Sequence, residues 1–432
     1  MINNQSQTPP TKKRTHWPSF IVLFSSGLGL MFFFGIAGAT FFAGFTNLIG
    51  QDANASDTAI LFSYTAAGIV LCLLLLPSIL LAIKRISGEV VSTSRVLEKA
   101  FALFHPKRLI WLFPLVVLFG HLIASRQSIN WIFLPGLNIL ALGIPIAWLL
   151  WVGIRRLNPG SLQRNWSTFG AGITVSPLII MVIEIVFMVI GFLMIILLFS
   201  LMFTGAEINP ESLFSALTQG SNIEQMDGQE IVSFIQQPII LIIILIFISG
   251  FVPIVEELIK PLAVWLMWFK PLTPQDGWVL GLLSGAGFAL VENLGNITAG
   301  EGWTFLVLAR AGASALHMFN TAIISYTVVL ARVKKRFLPA VLAIIGTILI
   351  HGFWNGISIF ATFSSPDSAD SAAIWPTGFI IAIAIISVSL VGGIFFTNQR
   401  LAAKSTQTAA AEANHQPDLP EPEVPGIHES EK

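Results

Sequence analysis

Cysteine and charge are what this chain has least of. Its 432 residues include one cysteine, Cys72, which excludes an intramolecular disulfide and any cysteine-built metal site. Only 11% of residues are Asp, Glu, Lys or Arg, against about 25% in ordinary soluble domains. The formal net charge is zero, so nothing global draws the chain to nucleic acid. No HExxH string occurs, which excludes the common zinc-protease helix. No segment alternates polar and apolar residues as a barrel strand does, and no internal repeat is visible.

Long apolar runs fill the chain instead: 54% of residues are hydrophobic and the mean hydropathy is +0.79. A bilayer span needs about 20 predominantly apolar residues. Backbone groups in lipid must be paired within the segment, so such runs are helices. The sequence therefore predicts an all-α, polytopic transmembrane bundle of about ten spans (nine to eleven), over 19–45, 58–83, 109–125, 129–154, 172–203, 238–269, 277–298, 303–331, 338–361 and 375–398. The stretch from Ser19 to Phe45 is longer than a signal-peptide core and reads as an uncleaved first span.

Loop charges orient this bundle. With both ends in the cytoplasm, the inner loops collect nearly all the Lys and Arg, and the outer loops hold Arg126 alone. The chain divides into five N-terminal spans (1–205), an acidic outer segment with amphipathic stretches (206–236), a second set of spans (237–398) and a disordered cytoplasmic tail (399–432). One run does not fit. A straight helix over 238–269 would be about 48 Å long at about 1.5 Å per residue, well beyond a core of about 30 Å. Gly250, Pro253 and Pro261 interrupt it, so a break is expected at Gly250–Pro253. That break also sets depth. Without it Glu256 would lie about 27 Å below the outer surface and Glu292 only about 9 Å below it.

Ionisable residues are costly in a span and face the protein interior or a wet cavity. Here they gather in four consecutive segments, as Glu256, Glu257 and Lys260, then Glu292 with Asn293, then Arg310, His317 and Asn320, then His351 and Asn355. Glu256 and Lys260, Phe288 and Glu292, and His351 and Asn355 are each four apart, so each pair shares a helix face. Gly281, Gly285, Ala286 and Gly287 let the Glu292 helix approach a neighbour closely. A buried glutamate can act as a general base, histidines can shuttle protons or bind a metal, and an Asn amide can donate to an oxyanion. With Zn²⁺, a Glu/His/His set is a sound hydrolytic site; a glutamate-activated water without metal is the alternative. Each residue also has a bland role, Glu256–Lys260 as an ion pair and each histidine as a packing residue. Glu184, alone in the fifth span, and His121, near a span end, take that bland role here.

The strings Glu256-Glu257-Leu-Ile-Lys260, Phe288-Ala-Leu-Val-Glu292-Asn293, Arg310 to His317, and His351-Gly-Phe-Trp-Asn355 resemble, in order, the motifs of the PrsW family of intramembrane proteases, which is distantly similar to the CAAX-protease and bacteriocin-processing superfamily. The resemblance covers about 250–360. It implies cleavage of a membrane-anchored, single-span protein, such as an anti-sigma factor, within or beside a prokaryotic cell membrane. It implies that Glu256 or Glu257 activates water, with Glu292, His317 and His351 as bases or ligands. Glu257, Glu292, His317 and His351 are the candidate metal ligands. Asn355 would stabilise the oxyanion, and Lys260 and Arg310, with Asn293 beside them, would balance charge. Two rivals stay open. One is a proton- or ion-coupled transporter built on the same buried groups, against which stands the lack of a matching second broken helix. The other is an inactive scaffold, against which stands the retention of every motif residue.

Overall fold

The computed structural model describes residues 16–50, 54–89, 105–203, 238–363 and 374–414. Among them there is no strand, and ten helical stretches are long and apolar enough to cross a membrane. In chain order the helices are α1 (Trp17–Ile49), α2 (Ala55–Ser87), α3 (Pro106–Ala124), α4 (Asn130–Ile154), α5 (Leu162–Ile173) and α6 (Val175–Phe203). Then come α7 (Pro238–Leu245), a π-helix (Ile246–Phe251), α8 (Val252–Ile259), α9 (Leu262–Leu266), α10 (Pro274–Gly295), α11 (Trp303–Lys334), α12 (Leu338–Phe363) and α13 (Ile374–Asn414).

Local chemistry sets several boundaries. Asn54 caps α2 by accepting from the Ser56 N–H, Asp57 lies in its first turn, and Lys84 and Arg85 lie in its last. All three complement the helix dipole. Gly88 closes α2 in the left-handed region at φ 78°, where glycine carries no Cβ penalty. Thr273 and Asp276 form a reciprocal capping box at the start of α10, and Arg164 of α5 binds Asp276 at 2.6 Å.

α10 and α11 form the centre of the bundle. Their most apolar windows are 83% and 78% buried, against 22% for the run through the π-helix and 33% for α12. The glycines explain how the two can lie so close. A Cβ at Gly277 would stand 2.6 Å from the Ser325 carbonyl oxygen, one at Gly281 2.5 Å from Ala322 Cα, and one at Gly285 2.7 Å from the His317 carbonyl oxygen. Recurring every four residues, they make one smooth ridge. On another face of α10, Gly287 meets the Phe169 carbonyl of α5, and Gly172 of α5 meets Ser284. Ser63, Asn138 and Trp303 tie α2, α4 and α11 together, with Asn138 donating to Ser63 Oγ at 2.9 Å and Trp303 Nε1 donating to Asn138 Oδ1 at 2.7 Å.

Three boundaries differ from the sequence expectation. The fifth span begins at Leu162 rather than 172, because α5 buries one face against α10 and directs Arg164 to Asp276. The run after 237 does not open into a break at Gly250–Pro253. It stays helical there and widens into a π-helix, and the interruption falls at Lys260–Pro261, between α8 and α9. The last helix continues to Asn414, through residues expected to be tail; the Ala-rich string there has high helix propensity. The acidic segment 206–236 and the tail from 415 lie outside the described residues.

Candidate functional site

Four elements bring the buried polar residues together. α8 supplies Glu256, Glu257 and Lys260; α10 supplies Glu292 and Asn293; α11 supplies Arg310, His317 and Asn320; α12 supplies His351 and Asn355. Lys260 lies at the end of α8, where Ser284 of α10 donates to its carbonyl at 2.6 Å.

Lys260 sits at the centre. It is fully buried. Its Nζ lies 2.6 Å from Glu257 Oε1 and 3.2 Å from Glu256 Oε2. It is also 3.0 Å from His317 Nδ1 and 5.0 Å from the centre of the Phe288 ring, a cation–π distance. A charge in the bilayer interior is tolerable only with such partners.

Each histidine is held from behind by a carboxylate. His351 Nδ1 lies 2.8 Å from Glu257 Oε1, which also accepts from Asn320 Nδ2 at 3.3 Å. His317 Nε2 lies 2.6 Å from Glu292 Oε2. Glu292 Oε1 lies 2.8 Å from Arg310 Nη2. Arg310 Nε in turn donates to Asn293 Oδ1 at 2.8 Å, and Asn293 Nδ2 donates to Ser314 Oγ at 2.8 Å. A carboxylate facing one ring nitrogen fixes the proton there, so the lone pair sits on the other. The nitrogens left to act as acceptors are then His351 Nε2 and His317 Nδ1; the latter also lies 3.0 Å from Lys260 Nζ, and both turn toward Glu256. They lie 3.8 Å and 3.9 Å from its Oε2, and the imidazole centres are 5.3 Å apart.

Glu256, His317 and His351 thus offer one carboxylate oxygen and two imidazole nitrogens, all within 4.8 Å of one another and all on buried residues. Glu256 Oε2 is buried, and the Lys260 ammonium at 3.2 Å is its nearest charged neighbour. One carboxylate and two neutral imidazoles is a common hydrolytic metal set. Three carboxylates (Glu256, Glu257, Glu292) face two cations (Lys260, Arg310), which leaves one negative charge unbalanced while both histidines are neutral.

The sequence named Glu257 and Glu292 among the candidate metal ligands. In the structure the near oxygens of both lie against histidines and cations, and Glu256 takes their place in the donor group. Asn355, expected at an oxyanion, donates its Nδ2 to the Ile248 carbonyl at 2.9 Å and so fastens α12 to the π-helix.

Sequence reasoning set Glu184 aside. The structure puts it on α6 within electrostatic reach of Glu256, Glu292 and Lys260, with its Oε1 buried and without a hydrogen-bond partner. The signal was its register. Ile180 and Phe187, on the same face, pack against Val255, Phe288 and Phe251. His121, also set aside, contacts Thr304 Oγ1 at 3.0 Å, on α3 and α11, outside the cluster.

A buried donor set of this kind, on helices that cross the bilayer, suits hydrolysis inside a membrane. Comparison with curated proteins and with solved structures gives no match. The family profile described as PrsW family intramembrane metalloprotease matches residues 163–390, from α5 into α13. That span is more than half of the chain and contains every residue of the cluster. The chain therefore belongs to the PrsW family: it is an integral membrane peptidase whose substrate is a protein embedded in the bilayer.

Proposed function

We propose that this peptidase cleaves a single-span, membrane-anchored protein, with an anti-sigma factor as one candidate, at a site built on Glu256, His317 and His351. The observation that carries the reading is the convergence of their donor atoms within 4.8 Å. The family is described as a metalloprotease family, and the residues fit a divalent ion: the donor set is right for Zn²⁺, with one carboxylate oxygen and two imidazole nitrogens turned to one point. A bound zinc ion supplies Lewis-acid polarisation of a carbonyl and of water.

The chain's own residues do the rest. Glu257 and Glu292 hold the imidazoles in the tautomers that present lone pairs to the site. Arg310 and Asn293 keep Glu292 aimed. Lys260 balances Glu256 and Glu257 and offers an N–H donor where negative charge develops. Helices α10 and α11 exclude bulk water, which strengthens each of these interactions. The loop charges support both ends of the chain lying in the cytoplasm, and the family resemblance supports a prokaryotic cell membrane as the setting.

One observation favours a metal-free reading. Lys260 Nζ lies 3.2 Å from Glu256 Oε2 and 3.0 Å from His317 Nδ1, so an ammonium already bridges two of the three donors. In that case Glu256 polarises the water directly. Zinc analysis of purified protein decides between the two. The metal reading expects about one zinc per chain, lost in His317→Ala and Glu256→Gln, and no cleavage of a single-span protein by either variant. Undiminished cleavage by both refutes the site in either form.

A further inference from the structure

A cavity lies one residue along α12 from His351, with Gly352 in its lining. It encloses about 590 Å³ between the π-helix, α12 and α13. Ser249, Gly356 and Gly378 are among the residues that line it, and Phe353, Phe360 and Phe379 stand around them. Phe353 and Phe360 are 61% and 41% exposed, so among the described residues this side opens outward from the bundle.

We infer that this groove holds a turn of the substrate's transmembrane helix beside the Glu256–His317–His351 cluster, an inference that rests on the peptidase reading above. Size is the first reason. A helix about 10–12 Å across with a pitch of about 5.4 Å occupies roughly 420–610 Å³ per turn, close to the volume of the groove.

Polarity is the second reason. Ser249 Oγ is buried without a hydrogen-bond partner, at the π-helix, where the backbone departs from the regular ladder. A lipid tail has nothing to give that hydroxyl, whereas a helix brings carbonyls and polar side chains, and serine hydroxyls bond across membrane helices in this way.

Continuity with the cluster is the third reason. The π-helix leads straight into the Glu256 helix. Gly352 and Gly356 directly follow His351 and Asn355 in sequence, and each step along α12 turns about 100°. The groove and the cluster therefore occupy neighbouring faces of one helix. Asn355, bonded to the Ile248 carbonyl, stands on the boundary between them.

The glycines make the test clean. A Cβ at Gly356 would stand 3.4 Å from Ser249 Oγ, an ordinary contact, and one at Gly378 would meet nothing within 4 Å. Larger side chains at either position enter the groove rather than the bundle. Gly136, on α4 and away from the groove, also has nothing within 4 Å and serves as the control.

The probe is a biotinylated single-span peptide with an Ala/Leu transmembrane segment, reconstituted in liposomes with the full chain. With Glu256→Gln and a photo-reactive benzoylphenylalanine in place of Phe353 at the groove's exposed rim, the peptide is expected to cross-link. Adding Gly356→Leu should reduce the cross-link at least about fivefold, and adding Gly136→Leu should leave it unchanged. In the otherwise native chain, Gly356→Leu should raise KM for a cleaved single-span protein about tenfold, equivalent to about 1.4 kcal/mol, with kcat within about twofold. Cross-links to lipid alone, or to other segments of this chain alone, overturn the inference, as does an unchanged KM. Cross-linking by a native chain that cleaves no single-span protein supports the groove and refutes the peptidase reading. Cleavage without cross-linking does the reverse.

Discussion

Lys260 and Glu257 form a fully buried ion pair at 2.6 Å, and a double-mutant cycle on them tests the electrostatic design of the site. Glu257→Gln keeps the shape and leaves the ammonium with Glu256 alone, at 3.2 Å. Lys260→Met leaves two adjacent buried carboxylates with no cation between them. Removing one member of a buried pair costs about 3–5 kcal/mol, because the other charge is stranded. The lower end applies to Glu257→Gln, where Glu256 remains, and the upper end to Lys260→Met. Removing both should cost less than the two single changes together, since one stranded carboxylate is left in place of two; Glu256, without its ammonium at 3.2 Å, keeps the double variant below the native stability. The coupling energy is therefore expected to exceed about 1.5 kcal/mol, within the range of about 0.5–3 found for contacting residues. Reversible unfolding in mixed micelles measures it.

Zinc binding should separate from stability in the same variants. His351 loses its charged partner at 2.8 Å in both Glu257→Gln and the double variant, and loss of such a partner weakens metal affinity by about 10–100-fold. Chelator competition should report that loss in the double variant even where part of the stability has returned. Additive stability effects, with a coupling below about 0.5 kcal/mol, would refute the claim that Glu257 and Lys260 act as a pair.

Two further outcomes follow from the packing and from the rear support of His317. Gly285→Ala drives a Cβ to 2.7 Å from the His317 carbonyl oxygen and should cost about 1–3 kcal/mol by overpacking, with a loss of cleavage. Gly295→Ala in the same helix, where a Cβ meets nothing within 4 Å, should be neutral or slightly stabilising in thermal unfolding. Arg310→Gln frees Glu292 from its partner at 2.8 Å and should reduce kcat by roughly 10–100-fold. Arg310→Lys, which keeps the charge, should recover part of that in a turnover assay; equal kcat for Arg310→Gln and the native chain would mean that Glu292 does not depend on it.

The ten spans were legible because burial in lipid demands long apolar runs, and composition records that demand directly. The membership of the cluster was legible too, since ionisable residues are scarce enough in spans to stand out. Which carboxylate does what was not. Glu256 and Glu257 are neighbours about 100° apart around a helix, and only the packing of α8 decides which joins the two ring nitrogens at the site and which holds His351 from behind. Glu184 looked isolated because its partners lie on helices far away in sequence. α5 was missed as part of a span because Gln163, Arg164 and Asn165 read as loop; their cost is offset by contacts with Ser19 and Asp276 that belong to other helices. The break at Gly250–Pro253 was inferred from residue types, but a π-helix accommodates them without ending the helix, and no short sequence pattern announces that choice.

The unequal burial of the helices has a mechanical consequence. Glu292 and His317 stand on α10 and α11, which are clamped along a glycine ridge with no room to slide. Glu256 and His351 stand on helices with far less protein around them. The donor triad is thus assembled across a seam, with an anvil on one side and a jaw on the other. A movement of the jaw changes both donor separations to His317 at once while leaving His317 and Glu292 in register, so the spacing of the triad is governed by how lipid and substrate press on α8 and α12.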